Sequence, residues 1–183
     1  MVFAVDRSMI ANKPQYGRAT DAAYNLIKSH GYTSPPIDPE QIAEDEGVHV
    51  VYAEFEGSDK DDVSGFFDLS SGTIYVNEDI SDNRITFTIA HELAHYILHQ
   101  EYIKSNNYVP MPRKNRYDGI KPVEETEADW FAASLLVPLY MLKKYEGIAT
   151  PTELAKMFFV SEDVIENRLD LLRRHPWQAR KRP

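Results

Sequence analysis

The segment from Ser81 to Gln100 constrains the fold of this chain more than any other part of the sequence. Ser81 and Asp82 are residue types that favour the start of a helix. Apolar residues then recur every three or four positions, at Ile85, Ile89, Ala90, Leu93, Ala94, Ile97 and Leu98. This spacing predicts one long amphipathic helix that ends near Gln100.

Two histidines of the predicted helix, His91 and His95, lie four positions apart. Residues at this spacing share one helix face about 6 Å from each other, so two imidazoles can reach one metal ion. Glu92 lies beside that face, where a carboxylate can take a proton from a water molecule that a metal activates. A solvated polar face would place the histidines equally well, so the spacing alone does not separate the two interpretations.

A second strong helix is predicted from about Val123 to Val137, and Glu125 and Asp129 share one of its faces. A carboxylate from a second helix would complete a set of two histidines and one acid, which zinc uses when it keeps an open position. Asp129 would then accept the other ring N–H of a ligating histidine. Alternatively, acidic residues in a first helical turn only complement the helix dipole. Glu127 is a rival to Glu125 as the ligand.

His99 continues the four-residue spacing of His91 and His95. On a straight helix it lies about 12 Å along the axis from His91, too far for all three histidines to bind one ion. We therefore exclude it as a ligand and interpret it as a surface histidine, in preference to a residue that contacts a ligand.

The rest of the sequence predicts further helices and three short strands. The helices are expected at residues 19–30 and 39–46, from Thr150, and from Ser161 to Arg174, and the strands at residues 48–55, 63–68 and 73–77. Ser70-Ser71-Gly72 predicts a hairpin turn between the last two strands.

The stretch from Glu101 to Pro122 has no clear period. Connections of this length are uncommon within domains, and a functional lid and a mobile loop are equally good interpretations. Tyr108 and Tyr117 in this stretch, together with His99, are candidates for stabilising an oxyanion.

The charge and composition limit the cellular setting and the partners. With a formal net charge of -9, the chain repels phosphate backbones, so nucleic acid is not expected as a partner. No cysteine is present, which excludes a thiolate metal site. We expect a cytoplasmic protein without a membrane partner, because neither a signal peptide nor a membrane span is recognisable. The basic tail from Arg173 to Pro183 is expected to be solvated and partly disordered.

The runs from Arg84 to His99 and from Glu125 to Pro138 resemble the two signatures of the ImmA/IrrE metallopeptidases. The similarity extends over roughly Asp38 to Leu172. It implies an α+β, gluzincin-like minimal zincin fold, mostly helical with a small three-stranded sheet, in which residues 73–77 form an edge strand that aligns a peptide. We expect this metallopeptidase domain at residues 1–149 and a helical appendage with a basic tail at residues 150–183.

The same resemblance implies that zinc is bound by His91, His95 and Glu125, with Glu92 as general base and acid. One departure is Ala94, where members of the family commonly have glycine. The implied function is a zinc endopeptidase that makes limited cuts in a regulatory protein, expected to be a helix-turn-helix repressor or an antitoxin-type regulator.

Two other functions remain open at the level of the sequence. A non-catalytic zinc-binding interaction protein would keep the site without using it for hydrolysis. A DNA-binding regulator would use the last two helices, but Glu162, Asp163 and Glu166 would face phosphates unfavourably.

Overall fold

The computed structural model describes residues 13–55, 63–100 and 121–180. In chain order the elements are α1 (Tyr16–Ser29), α2 (Pro39–Asp45), β1 (His49–Ala53), β2 (Gly65–Asp68), β3 (Thr73–Asn77), α3 (Asp82–Leu98), α4 (Val123–Leu136), α5 (Leu139–Leu142), α6 (Pro151–Phe158), α7 (Glu162–Arg174) and a 3₁₀ helix (Pro176–Arg180). The α+β class is confirmed, with helices dominating and one small sheet.

The sheet has the strand order β1-β3-β2, which corrects one expectation. We expected Thr73–Asn77 to be an edge strand, but β3 is the central strand, parallel to β1 and antiparallel to β2. The hairpin turn places β2 on one side of β3, and β1 pairs along its whole length with the other side. Burial agrees with this order, because β3 is largely buried whereas β1 is largely exposed. Within the described residues, the outer strands are β1 and β2.

The outer strand β2 packs closely against α3. A Cβ atom at Gly65 would lie 2.6 Å from Cγ2 of Thr88 on α3 and 2.7 Å from the carbonyl oxygen of Tyr75 on β3. No side chain fits at this distance. Further along α3, the rings of Phe67 and Tyr96 meet edge to face at 5.7 Å. Strand β2 therefore runs beside the helix that carries His91 and His95.

Helix α3 packs against α4, and α1 covers α4 from another side. Leu93 and Ala94 of α3 and Phe131 and Leu135 of α4 are buried in one continuous core. Arg18 of α1 also donates a hydrogen bond to the carbonyl oxygen of Leu98, with 2.6 Å between the two atoms. These contacts hold in register the two helices that supply the candidate site.

The C-terminal helices begin where the sequence predicts. Thr150 forms a capping box with Glu153, and the Ser161 side chain accepts a hydrogen bond from the N–H of Val164. The short helix α5 was not predicted. In the basic tail, which we expected to be solvated and partly disordered, residues 176–180 form the 3₁₀ helix. The expected domain division at residue 149 stays a prediction.

Candidate metal centre

Three buried side chains from two helices converge at one point. Nε2 of His91 and Nε2 of His95 are 3.2 Å apart. The Glu125 carboxylate places Oε2 at 3.3 Å from Nε2 of His91 and Oε1 at 3.2 Å from Nε2 of His95. Helices α3 and α4 therefore bring together the two histidines and the acid that the sequence singled out.

The donor atoms of the triangle formed by His91, His95 and Glu125 are separated by distances close to the edge length of a zinc tetrahedron. Zinc holds nitrogen and oxygen ligands at about 2.0–2.1 Å, which makes the edges of the tetrahedron about 3.3–3.4 Å. The two imidazole nitrogens are 3.2 Å apart, and the two oxygens of Glu125 lie at 3.3 Å from Nε2 of His91 and at 3.2 Å from Nε2 of His95. Two imidazoles and one carboxylate are also a donor set that zinc accepts while leaving a fourth position for water or substrate.

The second ring nitrogen of His91 is held by a carboxylate. Nδ1 of His91 donates to Oδ1 of Asp129 over 2.8 Å, and the ammonium of Lys121 pairs with Oδ2 of the same residue. Burial alone would raise the pKa of Asp129, but these two partners hold it at about 2. Because the proton of a neutral His91 lies on Nδ1, its lone pair lies on Nε2 and faces the triangle.

The second ring nitrogen of His95 is held by another histidine. Nδ1 of His95 lies 3.1 Å from Nδ1 of His99, and Nε2 of His99 donates to Oε2 of Glu127 over 3.0 Å. The other oxygen of Glu127 accepts the backbone N–H of Gln15 at 2.7 Å. Four residues from three parts of the chain thus form one hydrogen-bonded chain.

This chain fixes the tautomer of His95. Burial lowers the pKa of His99, which favours a neutral ring. A neutral His99 that donates from Nε2 to Glu127 must accept at Nδ1. His95 must then donate from Nδ1 and keep its lone pair on Nε2. Both histidines therefore direct the lone pair of Nε2 towards the point that the Glu125 carboxylate also faces.

Three acceptors this close need a cation between them. Burial by itself would raise the pKa of Glu125, but hydrogen bonds from His91 and His95 and their charge hold it far below its ordinary value. Glu125 is thus ionised, which is the form that binds metal.

Burial excludes one alternative that the sequence left open and corrects one interpretation made from it. His91 and His95 do not lie on a solvated face, because they are 1% and 8% exposed. His99 is not a surface histidine, since it is enclosed by His95 and Glu127 and is 6% exposed. Glu127, the rival ligand, contacts His99 and Gln15 and does not belong to the triangle.

Glu92, Tyr108 and Tyr117 are the remaining candidates from the sequence. Glu92 is buried on α3 next to His91. Tyr108 and Tyr117 lie outside the described residues. Sequence reasoning missed Lys121 and Gln15. Lys121 precedes α4 and shares no helical spacing with Asp129, and Gln15 contacts Glu127 through its backbone, which no side-chain pattern reveals.

A mostly helical fold around a three-stranded sheet, with this triangle on two packed helices, defines the class of minimal zincin-like proteins. The chain belongs to the IrrE N-terminal-like family (Peptidase M78), whose sequence model matches residues 43–170. The resemblance found in the sequence is thereby confirmed. Membership supports a metallopeptidase-like protein of the IrrE type.

Several solved structures share the fold, among them a Mycobacterium tuberculosis transcriptional regulator. It has 16% sequence identity and a TM-score of 0.61, over 88% of this chain and 48% of the regulator. The present chain therefore spans about half the length of that protein, and the likeness concerns the fold alone. No curated protein matches the chain at a significant level. Among the residues that the structure describes, no helix is both long and apolar enough to cross a membrane.

Proposed function

We propose that the protein is a zinc-dependent endopeptidase that makes limited cuts in a regulatory protein. The observation that carries the proposal is the buried triangle of His91, His95 and Glu125, with Glu92 beside it on the same helix. The family supports the metallopeptidase-like class. A helix-turn-helix repressor or an antitoxin-type regulator is the proposed substrate.

His91, His95 and Glu125 would hold the zinc ion. Zinc, when bound, supplies Lewis acidity that acidifies water and polarises the scissile carbonyl. The Glu92 carboxylate removes one proton from the attacking water as the new C–O bond forms. Glu92 then gives this proton to the leaving nitrogen as the C–N bond breaks, which regenerates the carboxylate.

Asp129 and His99 are proposed as positioning residues. Each holds Nδ1 of one histidine and so fixes which nitrogen carries the lone pair. The peptide-aligning strand is proposed to be β2. It is an outer strand among the described residues and packs on α3, whereas Thr73–Asn77 is paired on both sides.

The catalytic role of Glu92 is tested with Glu92→Gln. Glutamine keeps the shape but cannot accept the proton, so we expect bound zinc to remain and cleavage to be lost. The matched control is Glu78→Gln, which makes the same change at an exposed position. Cleavage of candidate repressors is followed by mass spectrometry of the fragments. Wild-type cleavage by Glu92→Gln would contradict the mechanism.

The ligand set is tested by measuring zinc per chain after dialysis against a weak chelator. We expect near-stoichiometric zinc in the wild type and loss in Glu125→Ala. Glu127→Ala should keep its zinc against the weak chelator, although with lower affinity than the wild type, because Glu127 lies outside the triangle. A folded wild type that takes up no zinc would remove the peptidase proposal. Zinc with a bound but uncut partner would favour the non-catalytic interaction protein.

A DNA-binding role for α6 and α7 is disfavoured. Helix α7 begins with Glu162 and Asp163, and acidic side chains at that end repel a phosphate backbone. Salt-dependent binding to a promoter fragment would be needed to support this function.

A further inference from the structure

A second pocket lies on the far side of α4, between α1, α7 and the 3₁₀ helix. Its volume is about 290 Å³, and its lining includes Tyr16, Thr20, Tyr24, Trp130, Arg168 and Trp177. None of the described residues that line it is acidic. In a chain with 29 acidic and 20 basic residues, a pocket that contains a cation and no carboxylate is unusual.

The cation of this pocket is Arg168, which is only 4% exposed. Nε of Arg168 donates to the carbonyl oxygen of Val137 over 3.0 Å, at the C-terminus of α4, and the guanidinium also contacts the Tyr24 hydroxyl. No carboxylate of the described chain forms an ion pair with it. Burial lowers the pKa of Arg168 to about 10, so the side chain is still charged at neutral pH.

A buried charge without a counter-ion is costly, because desolvation is not offset by an opposite charge. The guanidinium has five N–H donors. One of them donates to the carbonyl oxygen of Val137, and the Tyr24 hydroxyl is a second hydrogen-bond partner. A helix cap alone therefore does not account for a full positive charge at the wall of a pocket. An anion bound in the pocket would supply the missing negative charge.

Aromatic rings form the other walls. The rings of Tyr16 and Trp130 are 4.5 Å apart, and the Trp130 indole is fixed by its N–H donating to the Thr20 hydroxyl at 2.9 Å. The guanidinium carbon of Arg168 lies 6.0 Å from the Trp130 ring centroid. Trp177 is 59% exposed at the pocket rim. Such surfaces favour a flat apolar group.

We propose that this pocket binds a monocarboxylate joined to a planar aromatic ring. One guanidinium balances one negative charge and matches the two oxygens of a carboxylate. The ring would lie against Tyr16, Trp130 and Trp177. The same chemistry is offered by a free aromatic acid and by the C-terminal aromatic residue of a peptide. The proposal is independent of the peptidase function.

The test is isothermal titration of the full chain with indole-3-acetate and with its uncharged analogue indole-3-acetamide. We expect the acid to bind at least about tenfold more tightly, a difference of about 1.4 kcal/mol. Equal affinities, or no binding of the acid at millimolar concentration, would overturn the proposal. So would displacement of the acid by an equal concentration of inorganic phosphate, since that indicates a general anion site.

Variants of Arg168 and Gly17 test whether the ligand binds in this pocket. Arg168→Gln should abolish the preference for the acid, but Arg168 also contacts the end of α4, so the variant is expected to be less stable. Gly17→Leu provides the second test, because Gly17 lines the pocket and a Cβ atom there meets no heavy atom within 4 Å. We expect Gly17→Leu to stay folded and to lose binding. Wild-type affinity in Gly17→Leu would overturn the assignment.

The aromatic wall and the source of the ligand are tested in the same way. Trp177→Ala should weaken binding of indole-3-acetate several-fold, whereas Tyr52→Ala, which removes an aromatic ring of β1 that is 42% exposed, should not. Equal effects of the two variants would contradict the proposed contact. The affinity of a tripeptide that ends in tryptophan, with a free or an amidated C-terminus, is compared with that of indole-3-acetate, and the tighter-binding compound identifies the source of the ligand. Preference for the free carboxylate is expected in both series.

Discussion

The two histidines of the triangle differ in what holds their second nitrogen. His91 is held by the ionised Asp129, whereas His95 is held by the neutral ring of His99. A carboxylate partner makes an imidazole more basic than a neutral partner does. The two ligands are thus unequal donors. Removal of Asp129 and removal of His99 should therefore change zinc affinity by different amounts.

The chain from His95 through His99 to Glu127 should behave as one unit. We expect His99→Ala and Glu127→Ala each to weaken zinc binding, by roughly 10-fold to 100-fold for His99→Ala, because the tautomer of His95 is no longer fixed. The double variant should lose little more than His99→Ala, since both changes break the same chain. Competition with a chromophoric chelator measures the affinities. Fully additive losses would show that the two residues act independently.

The pKa of Asp129 sets a pH dependence for the metal-free protein. Its folded pKa of about 2 lies below the unfolded value of about 3.9, so the ionised form stabilises the folded state. This contribution is complete above about pH 5 and is lost as the pH falls towards 2. We therefore expect urea stability in the presence of a chelator to fall over this range, and to fall less steeply in Asp129→Asn.

The control for this pH series is Asp170→Asn. Asp170 is 51% exposed and pairs with Arg174 on the same helix, and exposed pairs contribute little to stability. Its acid profile should match that of the wild type. Identical slopes for Asp129→Asn and the wild type would contradict the assigned role of Asp129.

At the scale of elements, the contact between β2 and α3 depends on Gly65. A methyl group there would lie 2.6 Å from Thr88 Cγ2 and 2.7 Å from a backbone oxygen. The strand must shift to admit it, so we expect Gly65→Ala to lower the free energy of unfolding by about 1–3 kcal/mol. Urea denaturation measures the change.

Gly17→Ala is the matched control for Gly65→Ala. An added Cβ at Gly17 has no heavy atom within 4 Å, and alanine favours a helix more than glycine does. We expect stability to be unchanged or slightly increased. A neutral Gly65→Ala would mean that β2 does not pack on α3 as closely as described.

At the scale of the whole molecule, zinc should stabilise the fold. The ligands come from α3 and α4 and meet only when these helices pack. An ion that binds the folded state alone stabilises it by about 2.7 kcal/mol at 100 times its Kd. We expect added zinc to raise the melting temperature of the wild type but not of Glu125→Ala. Glu124→Ala, one residue earlier, should respond to zinc like the wild type.

The sequence by itself determined the features that depend on local spacing. The periodicity of α3 set the face that carries His91 and His95, and the i, i+4 pair on α4 singled out Glu125 and Asp129. The capping box at Thr150 marked the start of α6. These predictions were within reach because a helix brings together residues three or four positions apart, whatever the rest of the chain does.

Only the tertiary structure decided which distant segments meet. Strand order depends on pairing between segments that are not adjacent, so Thr73–Asn77 turned out to be central. His99 became buried because Glu127 of another helix encloses it, and Glu127 is itself bound by Gln15, 112 positions away. Spacing along a helix shows which residues share a face. What covers that face is determined by the packing of the whole chain.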